Sequence, residues 1–259
     1  MLRRKPVSVL VLLLFGILLL LDRYSEIPSW TFAILFLLFL VITVCGSFLI
    51  QWNYHLTSLH ANKATKNNEI ALTFDDGPHP EYTPQTLELL KKHDAKATFF
   101  CTGKAIEQHP ELFKKIFAEG HTVGNHTYSH SKSFGFFGTE KVIEELHKTA
   151  DVVKNLTGKQ LNLYRPAFGV TNPMIEKAVA QLKVQSIGWN VRSLDTTSRN
   201  EAAVLERITD KVSKGDIVLL HDTSQKTIHV LERLLLFLDD NGLKSVTVDQ
   251  LLNIEAYDS

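Results

Sequence analysis

From residue 70 onward the chain alternates short strand-like runs with longer helix-like stretches, and nothing else in it limits the fold so strongly. The strand-like runs are 70–74, 97–100, 122–125, 161–165, 185–189, 217–220 and 245–248. Between them lie 83–93, 105–120 with Pro110 inside, 139–156, 172–181, 201–212 and 227–241. Strands separated in this way by helices predict parallel βαβ units in one α/β domain. About 190 residues is short for a full eight-fold barrel, which typically needs about 250.

The first fifty residues read differently. Arg3-Arg4-Lys5 precedes an uncharged, Leu-rich run at 7–21, and a second uncharged run covers 30–50. About 20 residues cross a bilayer, so the second run is long enough. The first, roughly 22 Å at 1.5 Å per residue, crosses only with local thinning or help from its flanks. Tyr24, Trp30 and Trp52 stand where interfacial aromatics belong. A basic start and a short apolar core also fit a signal peptide, but 22–29 offers only Ser25 and Ser29 as small residues for cleavage. The preferred reading is a transmembrane helical hairpin at 1–52, with a signal anchor as the alternative. A polar linker at 53–68 and the α/β domain at 69–255 follow. The implied partner is the lipid bilayer and the implied location the cell membrane. Sidedness stays open, because a basic N-terminus held inside and two crossings return the domain to the cytoplasm, whereas one crossing puts it outside.

The 28 Lys and Arg balance 28 Asp and Glu, so charge points to no nucleic acid. No protein partner is implied. Cys45 and Cys101 form neither a metal-type spacing nor a disulfide framework.

In a parallel α/β array the chemistry gathers at the C-terminal ends of strands, and the unusual residues stand there. Asp75 and Asp76 end the first run, before Gly77-Pro78. Neighbouring strand side chains point to opposite faces, so both carboxylates reach one site only where the backbone turns. Two jobs follow, such as one metal ligand and one base, and the plain alternative is a polar turn. His126 and His130 are spaced so that one helical turn would aim both imidazoles the same way. Two His and a carboxylate are a familiar divalent-metal set, and a surface His pair is the alternative. Arg165 ends the fourth run, as a counter-ion for Asp75 or a surface ion pair. His221 ends the sixth, as a general acid or a satisfied core histidine. Asp195 is placed to bond its other ring nitrogen. The turn ending at Gly169 can aim a backbone N–H at a developing oxyanion. The loop 131–138, with Phe134, Phe136 and Phe137, suits a sugar face, the membrane or a neighbouring helix equally.

Together these motifs resemble those of the NodB-homology polysaccharide deacetylases, a carbohydrate esterase family, over roughly residues 69–255. Thr73-Phe74-Asp75-Asp76-Gly77-Pro78 stands unchanged, and His126-Thr127-Tyr128-Ser129-His130 matches His-Ser/Thr-x-x-His. Arg165-Pro166-Ala167-Phe168-Gly169 has Ala167 in place of a second Pro, and Leu219-Leu220-His221-Asp222 matches Leu-x-His-Asp. The Asp-x-x-Asp-Trp motif departs, as Arg192-Ser193-Leu194-Asp195-Thr196, which keeps the second Asp and alters the wall of the substrate site.

The resemblance implies a distorted (β/α)7-type barrel and a metal-dependent hydrolase that removes N-acetyl groups from amino sugars. It implies Asp75 as the base that activates the attacking water. Asp76, His126 and His130 would hold one divalent ion, usually Zn2+. The Phe168 backbone N–H would help form the oxyanion hole, and Leu219 would line the acetyl pocket. His221 would protonate the leaving amine, Arg165 would orient Asp75, and Asp195 would tune His221. The substrate is an amino-sugar glycan such as peptidoglycan, chitin-like oligosaccharide or exopolysaccharide. An undecaprenyl-linked sugar, deacetylated or deformylated at the membrane face, is the alternative that the hairpin favours. A non-catalytic glycan-binding protein on the same fold would have lost a ligand or the base, and none is lost here.

Overall fold

The computed structural model describes residues 3–258, and the alternation is present in it. Two long helices come first, α1 (Arg4–Asp22) and α2 (Ser29–Phe48). Then follow β1 (Ser58–Leu59), β2 (Glu69–Asp75), α3 (Tyr82–Lys92), β3 (Ala97–Cys101), α4 (Gly103–Gln108), α5 (Pro110–Ala118) and β4 (Thr122–Asn125). The middle holds α6 (Thr139–Thr157), β5 (Gln160–Leu161), β6 (Leu163–Tyr164), α7 (Pro173–Leu182), β7 (Gln185–Ile187) and β8 (Val191–Arg192). The last part is α8 (Glu201–Thr209), β9 (Ile217–His221), α9 (Gln225–Asp240), β10 (Lys244–Ser245), α10 (Val248–Leu252) and β11 (Tyr257–Asp258).

The main sheet runs β1-β7-β6-β4-β3-β2-β9-β8, with β10 added beside β2. Its pairs are parallel. It curls into the distorted (β/α) barrel that the resemblance implied. Alternate residues on each strand divide between two cores, as a period of two demands. Leu72, Phe74, Phe99, Val218 and Leu220 pack outward under the helices. Ala71, Phe100, Leu163, Ile187, Ile217 and Leu219 fill the barrel interior. The helices present apolar stripes to the outer core, as α9 does with Ile228, Leu231, Leu235 and Leu238 at helical spacing. Asn172 caps α7 by accepting from the N–H groups of Met174 and Ile175, and Pro173 takes the first helical position.

Several boundaries differ from the sequence reading, each for a local reason. The stretch 105–120 splits at His109, because Pro110 lacks an N–H and disfavours a helical residue before it. The run 161–165 breaks at Asn162, whose N–H bonds the Ala256 carbonyl instead, so β5 pairs antiparallel with β11. The run 245–248 stops at Ser245, because Thr247 and Gln250 form a capping box that starts α10.

The larger correction concerns 53–68, expected as a polar linker. Its β1 pairs in register with β7, Ser58 opposite Ser186 and Leu59 opposite Ile187, and Tyr54 and Leu56 are buried. Just before it, Ile50 enters the interior core. Gln51 Nε2 donates to the carbonyls of Trp189 at 3.0 Å and Asn190 at 3.4 Å. A two-residue strand in polar surroundings shows no period, which is why the sequence concealed it. A fragment starting at Glu69 should therefore be less stable than one starting at Asn53 by about 3 kcal/mol, from burial of Leu56 and the β1 pairing. Urea unfolding of the two fragments measures this, and equal midpoints would return 53–68 to linker status.

α1 and α2 pack as an antiparallel hairpin, with Phe15 and Phe32 rings 5.7 Å apart. Within these two helices only Val7 and Gly46 are buried, among the described residues. α1 has 19 residues, longer than the run at 7–21 suggested, and about 28 Å long at 1.5 Å per residue. Both helices are long and apolar enough to cross a bilayer, a test that a signal sequence also passes. In the loop 131–138 the aromatics separate: Phe134 is buried in a satellite core, and Phe136 is 93% exposed.

Candidate active site and metal centre

The sheet register brings the strand ends together. Asp75, at the end of β2, lies opposite His221 on β9 and Phe100 on β3. The next residue, Asp76, adopts φ 76°, a left-handed conformation that non-glycine residues seldom hold. That turn is what lets the second carboxylate reach the site of the first. Behind it Gly77 has no room for a side chain, since a Cβ would come within 2.5 Å of the buried Asp222 carboxylate.

His126 and His130 do converge, but not on a helical turn. Thr127 and His130 both have positive φ, 66° and 46°, so the expected helical geometry is replaced by an irregular turn. Side chains hold it. Asn125 Oδ1 accepts from the Thr127 N–H at 2.9 Å, and Thr127 Oγ1 accepts from the His130 N–H at 3.2 Å. Glu145, buried on α6, accepts from the N–H groups of Tyr128 at 3.1 Å and Ser129 at 2.8 Å and from the Ser129 hydroxyl. These bonds replace the backbone pairing of a helix.

The result is a triangle. Asp76 Oδ1 lies 3.5 Å from His126 Nε2 and 3.3 Å from His130 Nε2. The potential ligand atoms of the three residues lie within 4.8 Å of one another. His126 Nδ1 sits 3.0 Å from the Arg165 carbonyl oxygen. It therefore donates there and leaves Nε2 bare toward Asp76. Asp76 Oδ1 is buried without a hydrogen-bond partner. An orphaned carboxylate oxygen facing the Nε2 atoms of two imidazoles fits a divalent cation. Burial raises the Asp76 carboxyl, but the positive charge that His126, His130 and His221 carry when protonated holds it well below the usual range. His130 is lowered chiefly by burial.

Arg165 is no surface residue: it is fully buried at 0% exposure. Its Nη1 donates to Asp75 Oδ1 at 2.8 Å and Thr73 Oγ1 at 2.7 Å. Its Nε and Nη2 donate to the carbonyls of Ile187 and Gly188, and its guanidinium lies 4.0 Å above the Phe100 ring. Asp75 thus has one rotamer enforced by a rigid counter-ion. On the other side, His221 Nδ1 donates to Asp195 Oδ1 at 2.9 Å and its backbone N–H to Oδ2 at 2.8 Å. Ser193 and Thr227 hydroxyls also bond that carboxylate. Burial would lower the His221 imidazole, but the bond and charge of Asp195 push it up to about 9. That environment favours the imidazolium at neutral pH, and with Nδ1 committed to Asp195 the other ring nitrogen, Nε2, is the one left for substrate.

Phe168 has φ 59° in the turn Ala167–Gly169, and its ring lies 4.3 Å from that of His130. Leu219 lies on the barrel's inner face with Trp189, two residues before His221. In the sequence Trp189 marks only the end of a strand-like run. Its indole packs where a Cβ on Gly169 would sit, and it flanks the guanidiniums of Arg165 and Arg192.

Glu145 was the residue missed altogether. Its signal was present, because it falls in the buried stripe Val142, Glu145, Leu146, Thr149 and Val153 of α6, where a carboxylate needs a partner. Glu145→Gln is expected to weaken metal binding about ten-fold, as loss of a group that orients ligands does. Competition against a chromophoric chelator measures it, and unchanged affinity would remove Glu145 from that role.

The polysaccharide deacetylase family model matches residues 62–187. The chain is 36% identical over 189 residues to peptidoglycan-N-acetylglucosamine deacetylase PgdA of Listeria monocytogenes, covering 73% of this chain and 40% of that protein. It is 34% identical to a peptidoglycan-N-acetylglucosamine deacetylase of Bacillus cereus, over 72% of this chain and 90% of that one. The chain thus spans about two fifths of the length of the Listeria relative and nearly all of the Bacillus cereus one. The solved structure of peptidoglycan deacetylase PdaC from Bacillus subtilis superposes with TM-score 0.69 at 31% identity, covering 73% of this chain and 91% of that one. Shared sequence across the motif-bearing barrel and a shared fold lead to one assignment: the chain belongs to the polysaccharide deacetylase family.

Proposed function

We propose that this protein hydrolyses the N-acetyl amide of amino sugars in a cell-envelope glycan, peptidoglycan first, using one divalent ion held by Asp76, His126 and His130. The observation that carries the reading is the pairing of opposite groups beside that triangle. Asp75 is clamped by Arg165, and His221, opposite it on the adjacent strand, is backed by Asp195. The names of the Listeria and Bacillus cereus relatives support peptidoglycan as the first glycan to test.

When bound, the ion, zinc being the first choice for two imidazoles and a carboxylate, would polarise the acetyl carbonyl and acidify water. Asp75 takes a proton as the water oxygen bonds to the acetyl carbon. The Phe168 N–H, presented by its left-handed turn, donates to the developing oxyanion. His221 Nε2 then gives its proton to the nitrogen as the carbon–nitrogen bond breaks. Acetate and a free amine leave. Arg165 and Asp195 act by orienting the groups that move protons, and Leu219 with Trp189 bounds the space for the methyl group.

A pH profile follows from the acid. The reaction needs protonated His221, so the rate should fall as pH rises through about 9. Asp195→Asn removes the charge that raises this imidazole. The alkaline limb should therefore move to lower pH, and an unmoved limb would assign it to another group. The function itself is tested by acetate release from peptidoglycan and chito-oligosaccharide, using metal-stripped full chain in detergent with and without Zn2+. Zinc-dependent release is expected. Metal bound without release from any acetylated sugar would sink the activity.

A second reading, a lipid-linked sugar, is favoured by one contact. The Thr171 N–H donates to the Ser47 carbonyl at 2.9 Å, tying the last turn of α2 to the segment three residues after Phe168, at most about 10 Å of chain. With 1–52 read as a membrane anchor, the site lies close to the bilayer surface. Faster release from a polyprenyl-linked N-acetyl sugar than from soluble oligosaccharide would select this reading. Protease access to a C-terminal tag in intact cells gives the side.

A further inference from the structure

A cavity of about 740 Å³ lies away from the catalytic strand ends, between the start of α1, the segment after α2 and the end of α7. That volume falls in the range of small-molecule sites, roughly 300–1,000 Å³. Because α1 and α2 form a hairpin, the start of one and the end of the other share one end of the helix pair. If the hairpin crosses a bilayer, this cavity opens at headgroup depth.

Its lining has two chemistries. Arg3, Arg4, Lys5 and Lys183 supply positive charge, against one carboxylate, Glu176. Glu176 takes only part of it, through Arg4 Nη2 at 3.0 Å, and Arg4 Nε stays buried without a partner. The second chemistry is an acceptor. His55 is buried, at 7% exposure, lines the cavity, and its Nδ1 has no hydrogen-bond partner. Its tautomer can be worked out. The Ser47 hydroxyl donates its single hydrogen to the Thr43 carbonyl at 3.0 Å. The 3.1 Å contact between Ser47 Oγ and His55 Nε2 must then be donated by the ring. A neutral ring, favoured here by burial and by nearby Arg4, therefore keeps a bare acceptor at Nδ1.

We infer that this cavity binds an anionic phospholipid headgroup, with the phosphate on the Arg and Lys side chains and a headgroup hydroxyl donating to His55 Nδ1. The net positive lining favours a headgroup of net negative charge over a zwitterion, and juxtamembrane basic residues attract such lipids. An unpartnered donor and an unpartnered acceptor in one cavity ask for a ligand carrying both groups, as phosphatidylglycerol does. The inference rests on the hairpin lying in a membrane.

The test uses the full chain reconstituted in phosphatidylcholine bilayers containing a minority of phosphatidylglycerol, with co-purifying lipid counted by native mass spectrometry. A single phosphatidylglycerol per chain should be retained in preference to phosphatidylcholine. The double variant Arg4→Gln with Lys183→Gln should lower retention about ten-fold or more. Phosphatidylmethanol, equally charged but without hydroxyls, should compete poorly with the wild type and well with His55→Phe. Equal retention of both bilayer lipids, or retention unchanged in the double variant, would overturn the site, as expected of a cavity that holds only water. Displacement of the lipid by free glycerol phosphate would assign the cavity to a soluble ester instead. Flotation with pure phosphatidylcholine vesicles checks the hairpin separately, and a chain that stays behind removes the inference with its membrane. Acetate release from a soluble glycan should be unchanged in the double variant, so failure of the lipid site and failure of the deacetylase reading are told apart.

Discussion

Asp75→Asn is expected to lower the deacetylation rate by about 10²- to 10⁴-fold, the usual contribution of a positioned base, while metal content stays at the wild-type level. The substitution keeps the shape of the side chain, and its amide oxygen can still accept from Arg165. What it loses is the ability to take a proton. It also leaves a buried guanidinium without its counter-ion, and breaking a buried pair typically costs about 3–5 kcal/mol. Here the other bonds of Arg165, to Thr73, Ile187 and Gly188, and its stacking on Phe100 hold it in place. Stability should therefore fall toward the small end of that range. The rate must be expressed per folded, metal-loaded chain, using metal analysis and a thermal melt on the same sample. A rate within ten-fold of wild type would take Asp75 out of the base role.

The second large effect belongs to the ligand set. His126→Ala should lose most of its bound metal and, with it, activity. Zinc at 100 times its dissociation constant stabilises a folded chain by about 2.7 kcal/mol. The wild type should therefore melt higher with zinc than without, and the variant should show no such rise. His126 also bonds the Arg165 carbonyl and is buried, so the variant's metal-free melt supplies the baseline. An unchanged metal content, or a zinc-induced rise equal to wild type, would exclude His126 as a ligand. Asp76→Asn provides a check that is gentler on packing, because Asp76 is only partly buried.

Much of this protein is legible in its sequence, and the parts that are not share a cause. The strand at 122–125 and most helices stood within a few residues of their final limits, because apolar periodicity is a local property. Asp75, Asp76, His126, Arg165 and His221 were legible because each ends a parallel strand, where side chains converge. The shape of the 126–130 turn was not legible, since its positive φ values depend on Glu145 from a distant helix. Nor was β1, whose two residues have meaning only against β7. The burial of Arg165 is hidden for the same reason, because its partners come from β2 and from the end of β7 with the residue after it.

By itself, then, the chain's sequence determined the order of elements, the parallel α/β class, the apolar helices at the N-terminus and the residue types available at the strand ends. Those follow from propensity and periodicity, which act over a few neighbouring residues. The tertiary structure alone decided that Asp75 and Arg165 form one buried pair, that Asp76 turns toward two imidazoles, that His221 is backed by the Asp195 carboxylate, and that the segment after α2 adds a strand to the edge of the sheet. Each depends on distance, burial and register between residues far apart in the chain, and no short-range pattern encodes those quantities.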